Sequence, residues 1–347
     1  LNQGKVIRVL IVDDSALVRD ILKKLLSEDP QILVIGEACD GQEAVQFCHT
    51  KSPDLILMDI EMPRMNGLEA IGEIMATQPT PILVLSSQAK PANVALSFQA
   101  IQSGALELME KPVVGNPHHW EATRKRLIEK IKILHKIKVV RHIRPTRRVV
   151  NLGATTGALR YVLVGASTGG PQVLHQLFTR LKPDFSFAMV IVQHMTPGFL
   201  QGMVQWLSTA APHRLKVAQD RELLRSGTIY FAPEEKHCLL HYPGQLSLRT
   251  DLPKWTEHQP CVNYLMKSAA EFSPRESLGI ILTGMGKDGA EGLLALKQSG
   301  GKTIAQDEES SLIYGMPREA YARGGVDQVM NPPQMADYLN QCRGGSS

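Results

Sequence analysis

Two periods alternate along the first third of the chain. VIRVLIVDD, LVIGEACD, PDLILMDIEMP, PILVLSS and ALELMEKP are short apolar runs of strand length, and the stretches between them are amphipathic. The clearest such stretch is SALVRDILKKLLSE. There Leu17, Val18, Ile21, Leu22, Leu25 and Leu26 recur at helical spacing, behind Ser15 as N-cap. Five strand-and-helix units with strongly apolar strands predict a parallel sheet covered by helices on both faces. TRKRLIEKIKILHKI, with Leu127, Ile131, Leu134 and Ile137 at helical intervals, predicts the last helix of this module. KVVRHIRPTRRVVNLGATTGALR then loses the period and carries Pro145, Gly153 and Gly157, as a linker does. Further on, RYVLVGA, FAMVIVQ and LGIILTG are again strand-length apolar runs. The expected division is 1–140, a linker over 141–158, and a second module over 159–343.

Length and charge sharpen that division. At about 150 residues per domain, 347 residues argue for two domains. Hydrophobic residues at 43% and charged residues at 21% are globular values and exclude a disordered or collagen-like chain. No apolar run approaches the ~20 residues of a membrane span, and LNQGKVIRVLIVDD lacks a signal-peptide layout. Five cysteines without CxxC spacing argue against a disulfide framework or zinc site and point to a reducing, cytoplasmic setting. The net charge of +4 is unevenly spread. Residues 1–118 hold 9 Lys/Arg against 15 Asp/Glu, residues 119–160 hold 12 against 2, and the remainder balances at 17 against 17. An acidic module is joined to a neutral one by a basic segment. No recognition-helix or zinc-finger pattern accompanies that segment, so DNA is not an expected partner. A solvated helix face and linker is the expected reading, with nucleic acid and an acidic protein surface, the receiver included, as the other candidates for its charge.

In open parallel sheets, ligands bind at the carboxyl ends of the strands. In the first module those ends carry Asp13 and Asp14, Asp59, Ser86 and Ser87, and Lys111 followed by Pro112. Crowded carboxylates call for a cation, and hard oxygen ligands suit Mg²⁺. A lysine and a hydroxyl beside them suit the oxygens of a phosphoryl group. The order and spacing of IVDDS, LMDIEMP with its following NG, VLSS and the KP pair resemble a two-component receiver domain. The resemblance implies Asp59 as phospho-acceptor, Asp13, Asp14 and Asp59 around Mg²⁺, and Ser86 and Lys111 on the phosphoryl group. Where many receivers have an aromatic switch residue, three before the lysine, this chain has Leu108.

The second module opens on RYVLVGASTGGPQVLHQLFTRL, which reads as strand, glycine turn and helix. Such a turn is able to cradle phosphate, but GASTGGP fits neither GxGxxG nor GxxxxGK[ST]. It presents Ser167 at a strand-to-helix corner, where a hydroxyl is either an N-cap or a nucleophile; GxSxG itself is absent. His194 lies just past the FAMVIVQ strand, and Asp288 lies in the glycine-rich loop of LGIILTGMGKDGAEG. Three strand ends thus offer a hydroxyl, a base and a carboxylate able to fix the base's tautomer. The chain order Ser, His, Asp differs from those of the α/β-hydrolases, chymotrypsin and subtilisin.

GASTGGP, QHM, FAPEEKH, TGMGKDGAEG and AQDEESSLIYGMP, in this order behind a receiver and linker, resemble the CheB family of protein-glutamate methylesterases across essentially the whole chain. The resemblances imply an α/β chain with an N-terminal five-stranded, flavodoxin-like receiver and a C-terminal doubly wound α/β methylesterase domain. They imply Ser167 as nucleophile, His194 as general base and acid, and Asp288 as orienting carboxylate, with Thr168, Met285 and Gly286 lining the site and supplying oxyanion contacts. The implied activity is hydrolysis of glutamyl methyl esters on chemoreceptors, with deamidation of receptor glutamines, controlled by phosphorylation. Mg²⁺ is implied for the receiver and no cofactor for the catalytic half. The implied partners are a histidine kinase and methylated chemoreceptors, with peripheral contact to membrane receptor arrays.

Overall fold

The apolar runs of the first module become five strands: β1 (Ile7–Val12), β2 (Ile32–Ala38), β3 (Leu55–Asp59), β4 (Ile82–Ser86) and β5 (Glu107–Glu110). In the computed structural model, which describes residues 5–87, 91–112, 117–137, 159–253 and 258–342, they form one parallel sheet in the order β2-β1-β3-β4-β5. The helices between and after them are α1 (Ala16–Ser27), α2 (Gly41–Lys51), α3 (Gly67–Thr77), α4 (Pro91–Ser103) and α5 (Pro117–Leu134). β3 and β4 are buried along their whole length, which is why they read as unbroken apolar runs rather than alternating ones.

Helix α1 departs from expectation at one residue. Ser15 caps it as expected, accepting from the Val18 N–H, and Leu22, Leu25 and Leu26 are buried. Leu17, however, is 69% exposed. At 3.6 residues per turn, positions 18, 22, 25 and 26 share one side, and position 17 falls about 100° off it. Helix α5 starts at Pro117 and buries Leu127, Ile131 and Leu134, whereas Ile137 lies beyond its last turn.

The second module has β6 (Tyr161–Ala166), β7 (Ala188–Gln193), β8 (Arg214–Val217), β9 (Thr228–Phe231), β10 (His237–His241), β11 (Gln245–Arg249), β12 (Ser277–Ile281), β13 (Lys302–Gln306) and β14 (Gln328–Met330). Seven of them make a parallel sheet in the order β14-β13-β12-β6-β7-β9-β8, while β10 and β11 pair as an antiparallel hairpin. Two helix groups serve this sheet. One is α6 (Gly170–Phe178), α7 (Leu200–Ala210) and α11 (Pro332–Leu339); the other is α8 (Val262–Phe272), α9 (Ala290–Gln298) and α10 (Met316–Ala322). Leu265, Met266, Ala269, Leu293 and Leu296 of the second group share a buried core with Leu163, Val190, Val192 and Tyr230 of the strands. This is the doubly wound domain expected from sequence.

The chain divides into two compact units, Leu1–Thr146 and Arg147–Ser347. The expected linker, 141–158, lies outside the described residues. Among the described residues no helix is long and apolar enough to cross a membrane.

Candidate active site

In the second sheet the winding direction reverses beside β6: the chain runs outward through β7 on one side and through β12 on the other. The crevice beyond the carboxyl ends of such neighbours is where doubly wound folds place ligands. Ser167 follows β6, His194 follows β7, and the loop carrying Asp288 follows β12. The register pairs Ala166 with Gln193 and Gly165 with Ile281, so the three chain segments leave the sheet together.

Local bonding fixes each exit. The Ser167 N–H donates to the Thr283 carbonyl at 3.0 Å, and the Ser167 carbonyl accepts from the Gly170 N–H at 2.8 Å. The turn passes through Gly169 at φ +80°, a conformation L side chains rarely adopt, before α6 begins. Gly284 must also stay small: a Cβ there would meet the Ser167 Cβ at 2.6 Å. Gln193, buried at the end of β7, donates from Nε2 both to the Ser167 carbonyl at 2.9 Å and to the His194 carbonyl at 2.8 Å. It therefore staples the serine turn to the histidine loop. Gln306 does the same service next door, accepting the Thr283 N–H at 2.7 Å.

His194 Nε2 lies 3.0 Å from Asp288 Oδ2, with both side chains almost fully buried. The approach is short but not aligned as a directed N–H bond, and Nδ1 has no hydrogen-bond partner in the structure. Such slack is usual for a substrate-free site, and the distance assigns Nε2 to the carboxylate. The carboxylate itself is heavily held. Oδ2 accepts the Val262 N–H at 2.7 Å, and Oδ1 accepts from Asn263 N, Gly289 N and the Cys261 thiol at 3.1, 2.9 and 3.1 Å. Asp288 thus sits on the amino end of α8, where the helix dipole favours negative charge. Burial alone would raise its pKa, but His194, the Cys261 thiol and the Val262 N–H outweigh burial and bring it down to about 2.

Thr168 is buried beside the serine, its carbonyl accepting from Thr283 Oγ1 at 3.0 Å. Met285 and Gly286 form the exposed tip of the next loop, and nothing crowds the space where a Gly286 Cβ would lie. Among the described residues, the N–H groups of Thr168, Met285 and Gly286 donate to no protein acceptor. Glu234, in the FAPEEKH segment, accepts the Gly198 N–H at 2.9 Å and the Leu200 N–H at 3.0 Å. It ties down the loop after His194 and caps α7, which has no side-chain cap at Phe199.

The first module gathers its expected residues at the reversal between β1 and β3. Carboxylate oxygens of Asp13, Asp14 and Asp59 lie within 4.8 Å of one another, a hard-oxygen donor set that fits Mg²⁺. Lys111 Nζ reaches Asp13 Oδ2 at 2.7 Å and Asp59 Oδ2 at 2.8 Å. Burial, and to a lesser extent the neighbouring Asp13 charge, push the Asp59 carboxyl up to about 6 against the pull of Lys111. A cavity of about 210 Å³ opens over Asp14, Asp59, Ser86 and Lys111. Ser86 Oγ is hydrogen-bonded to Ser97 Oγ of α4 at 2.8 Å. Leu108 is half-buried on β5.

The sequence profile described as CheB methylesterase matches residues 162–339, and that of the response regulator receiver domain matches residues 9–118. The chain belongs to the CheB methylesterase family. A protein-glutamate methylesterase/protein-glutamine glutaminase of Nitrosospira multiformis is 40% identical over 344 residues, spanning 96% of each chain. One of Syntrophus aciditrophicus is 38% identical over 347 residues, spanning 97% of this chain and 99% of the relative. The Thermotoga maritima CheB methylesterase catalytic domain superposes with a TM-score of 0.51 at 32% identity, covering 53% of this chain and 99% of that one. The Ser167, His194 and Asp288 constellation lies wholly within the CheB methylesterase match.

Sequence reasoning missed Gln193, Glu234, Gln306 and the 258–263 segment. Gln193 and Glu234 stand inside the QHM and FAPEEKH strings, so their motifs were visible. Their partners were not: Glu234 acts 34–36 positions away.

Proposed function

We propose that this chain is a serine hydrolase that demethylates glutamyl methyl esters on chemoreceptors and deamidates receptor glutamines, with its rate set by phosphorylation of Asp59. The observation that carries the proposal is the placement of Ser167, His194 and Asp288 at three converging strand ends, with the imidazole 3.0 Å from a carboxylate held by α8. With Nε2 turned to Asp288, Nδ1 is the nitrogen left to take the Ser167 proton. Ser167 Oγ then attacks the ester carbonyl carbon, and the carbonyl oxygen becomes an oxyanion before the N–H groups of Thr168, Met285 and Gly286. Such donors are each worth roughly 10²–10³ in rate. Collapse expels methanol, which takes its proton from His194. Water, deprotonated by the same nitrogen, then cleaves the acyl-serine to the free γ-carboxylate and Ser167. With a glutamine substrate the leaving group is ammonia, which needs fuller protonation, so deamidation is the slower reaction.

In the receiver, an Asp59 oxygen attacks the phosphorus of a phosphohistidine, and the kinase histidine departs. Mg²⁺, which Asp13, Asp14 and Asp59 would hold, would supply positive charge for phosphoryl transfer. Lys111 binds one phosphoryl oxygen by exchanging its present ion pairs, and Ser86 binds another once it turns from Ser97. The new charge of about −1.5 to −2 biases the receiver's surface. In this reading the receiver is 1–140, the linker 141–158 and the methylesterase domain 159–343, and the setting is the cytoplasmic face of receptor arrays.

The test is methanol release from methylated receptor membranes. Ser167→Ala should lower turnover on the order of 10⁶-fold, while Asp59 still takes up phosphoryl from a small phosphodonor. More than a few per cent of wild-type esterase activity in that variant would remove Ser167 as nucleophile.

A further inference from the structure

One ring in the second module has no role in the chemistry derived so far. His258 is exposed, yet its imidazole lies flat on that of His194, with ring centroids 4.1 Å apart and planes 17° from parallel. His194 itself is 9% exposed, so His258 shields the outward face of a nearly buried ring. The two arrive from distant parts of the chain: His194 ends β7, and His258 stands four residues before α8 begins. Their segments are tied to each other, the Gln259 carbonyl accepting the Glu235 N–H at 3.2 Å, and each has further anchors of its own. Gln193 and Glu234 hold the histidine loop, whereas the segment after His258 is held where Cys261, Val262 and Asn263 donate to Asp288.

Imidazole is able to flip and swing about its χ angles, and only one of its orientations serves a proton transfer. Asp288 faces one edge of the His194 ring at 3.0 Å, and a contact at one edge leaves rotation of the ring about that contact open. A flat ring stacked on the face supplies the missing restraint. It also places π-density against a ring that becomes cationic during the reaction, which attracts it.

We propose that His258 is a positioning residue for the hydrolysis, holding the plane of His194 by stacking and assisting its imidazolium without transferring a proton itself. The proposal rests on the reading of His194 as the general base. It requires a flat ring at position 258 rather than a titrating one, so Phe should serve where Ala does not.

The experiment compares full-length wild type, His258→Ala, His258→Phe and His194→Ala by methanol release from methylated receptor membranes, with kcat and KM measured separately. Misplacing a catalytic group by about 1 Å costs on the order of 10²-fold. His258→Ala should therefore lower kcat by roughly 10- to 100-fold with KM within about twofold. His258→Phe should recover most of kcat. His258→Ala with unchanged kcat, or a loss that Phe does not recover, overturns the proposal. An active His194→Ala would instead overturn the base assignment, so the two failures are distinguishable. Because residue 258 is exposed, folding of the Ala variant is expected and is checked by its thermal transition; if it unfolds, the Phe variant alone decides, since loss of kcat there contradicts the stacking role.

Discussion

Asp288, the proposed orienting carboxylate, is kept ionised chiefly by His194, with the Cys261 thiol and the Val262 N–H at the amino end of α8 adding to that and holding it in place. Its Oδ1 accepts three donors and its Oδ2 accepts Val262 N while facing His194 Nε2. Asp288→Asn therefore differs from a mild change of charge. Either amide orientation sets an NH₂ group against N–H donors, and a buried donor without an acceptor costs about 1–3 kcal/mol. We expect this variant to lose stability by that amount in urea titration, in addition to its loss of turnover. Wild-type stability in urea would show that the carboxylate's contacts are dispensable. The pH dependence has a definite sign. The folded pKa, about 2, is below the unfolded value of 3.8, so the contribution is full above about pH 4 and lost as pH falls through 2. It amounts to ~2 kcal/mol. The stability gap between wild type and Asp288→Ala should accordingly narrow between pH 4 and pH 2, and a gap that is constant over that window contradicts the assignment.

At the scale of elements, what was legible in the sequence was whatever local periodicity controls. Fully buried parallel strands such as β3 and β7 show as apolar runs, and Asp59, the last residue of β3, and His194, just past β7, stand out at their carboxyl ends. Leu17 misled because an apolar residue beside a helical stripe looks like part of it. The supports of the site were hidden because their partners are far along the chain. Gln193 bridges to Ser167 across 26 positions, and Cys261 to Asp288 across 27. Glu234 gives this a test. One of its carboxylate oxygens caps α7 at the Leu200 N–H, and the other anchors the loop after His194 at the Gly198 N–H. Loss of a helix cap costs about 0.5–2 kcal/mol. Glu234→Ala should lower stability by roughly 1 kcal/mol and reduce kcat as the loop loosens. Glu234→Gln, which keeps one acceptor, should fall between. A thermal melt and an esterase assay on the three proteins check the order. Equal loss in both variants would mean that charge, not acceptor geometry, holds the loop.

At the scale of the molecule, the chain couples an acidic receiver to a hydrolase whose proposed catalytic residues all lie after the linker. The hydrolase has its own sheet, core and helix layers. The solved Thermotoga maritima catalytic domain, matched over 99% of its length, indicates that such a unit stands alone. If the receiver restrains the hydrolase, a fragment beginning near Gly157 should release methanol faster than the intact, unphosphorylated protein. The basic stretch 119–160, with 12 cations against 2 acids, would add a second force if it attracts the receiver or an acidic receptor surface. Salt separates the two contributions. The screening length falls from ~10 Å at 0.1 M to ~3 Å at 1 M, so attraction between exposed charges fades while obstruction by apolar packing persists. With apolar obstruction, the fragment stays faster than the intact protein at both ionic strengths. With charge-held restraint, the intact protein approaches the fragment's rate at high salt. Asp59→Asn, which lacks the proposed phospho-acceptor, should keep the slow rate of the intact protein in the presence of a phosphodonor that accelerates wild type. A fragment slower than the intact protein at both salt concentrations would mean that the receiver and basic stretch assist the hydrolase rather than restrain it, and phosphorylation would then have to act by strengthening that assistance.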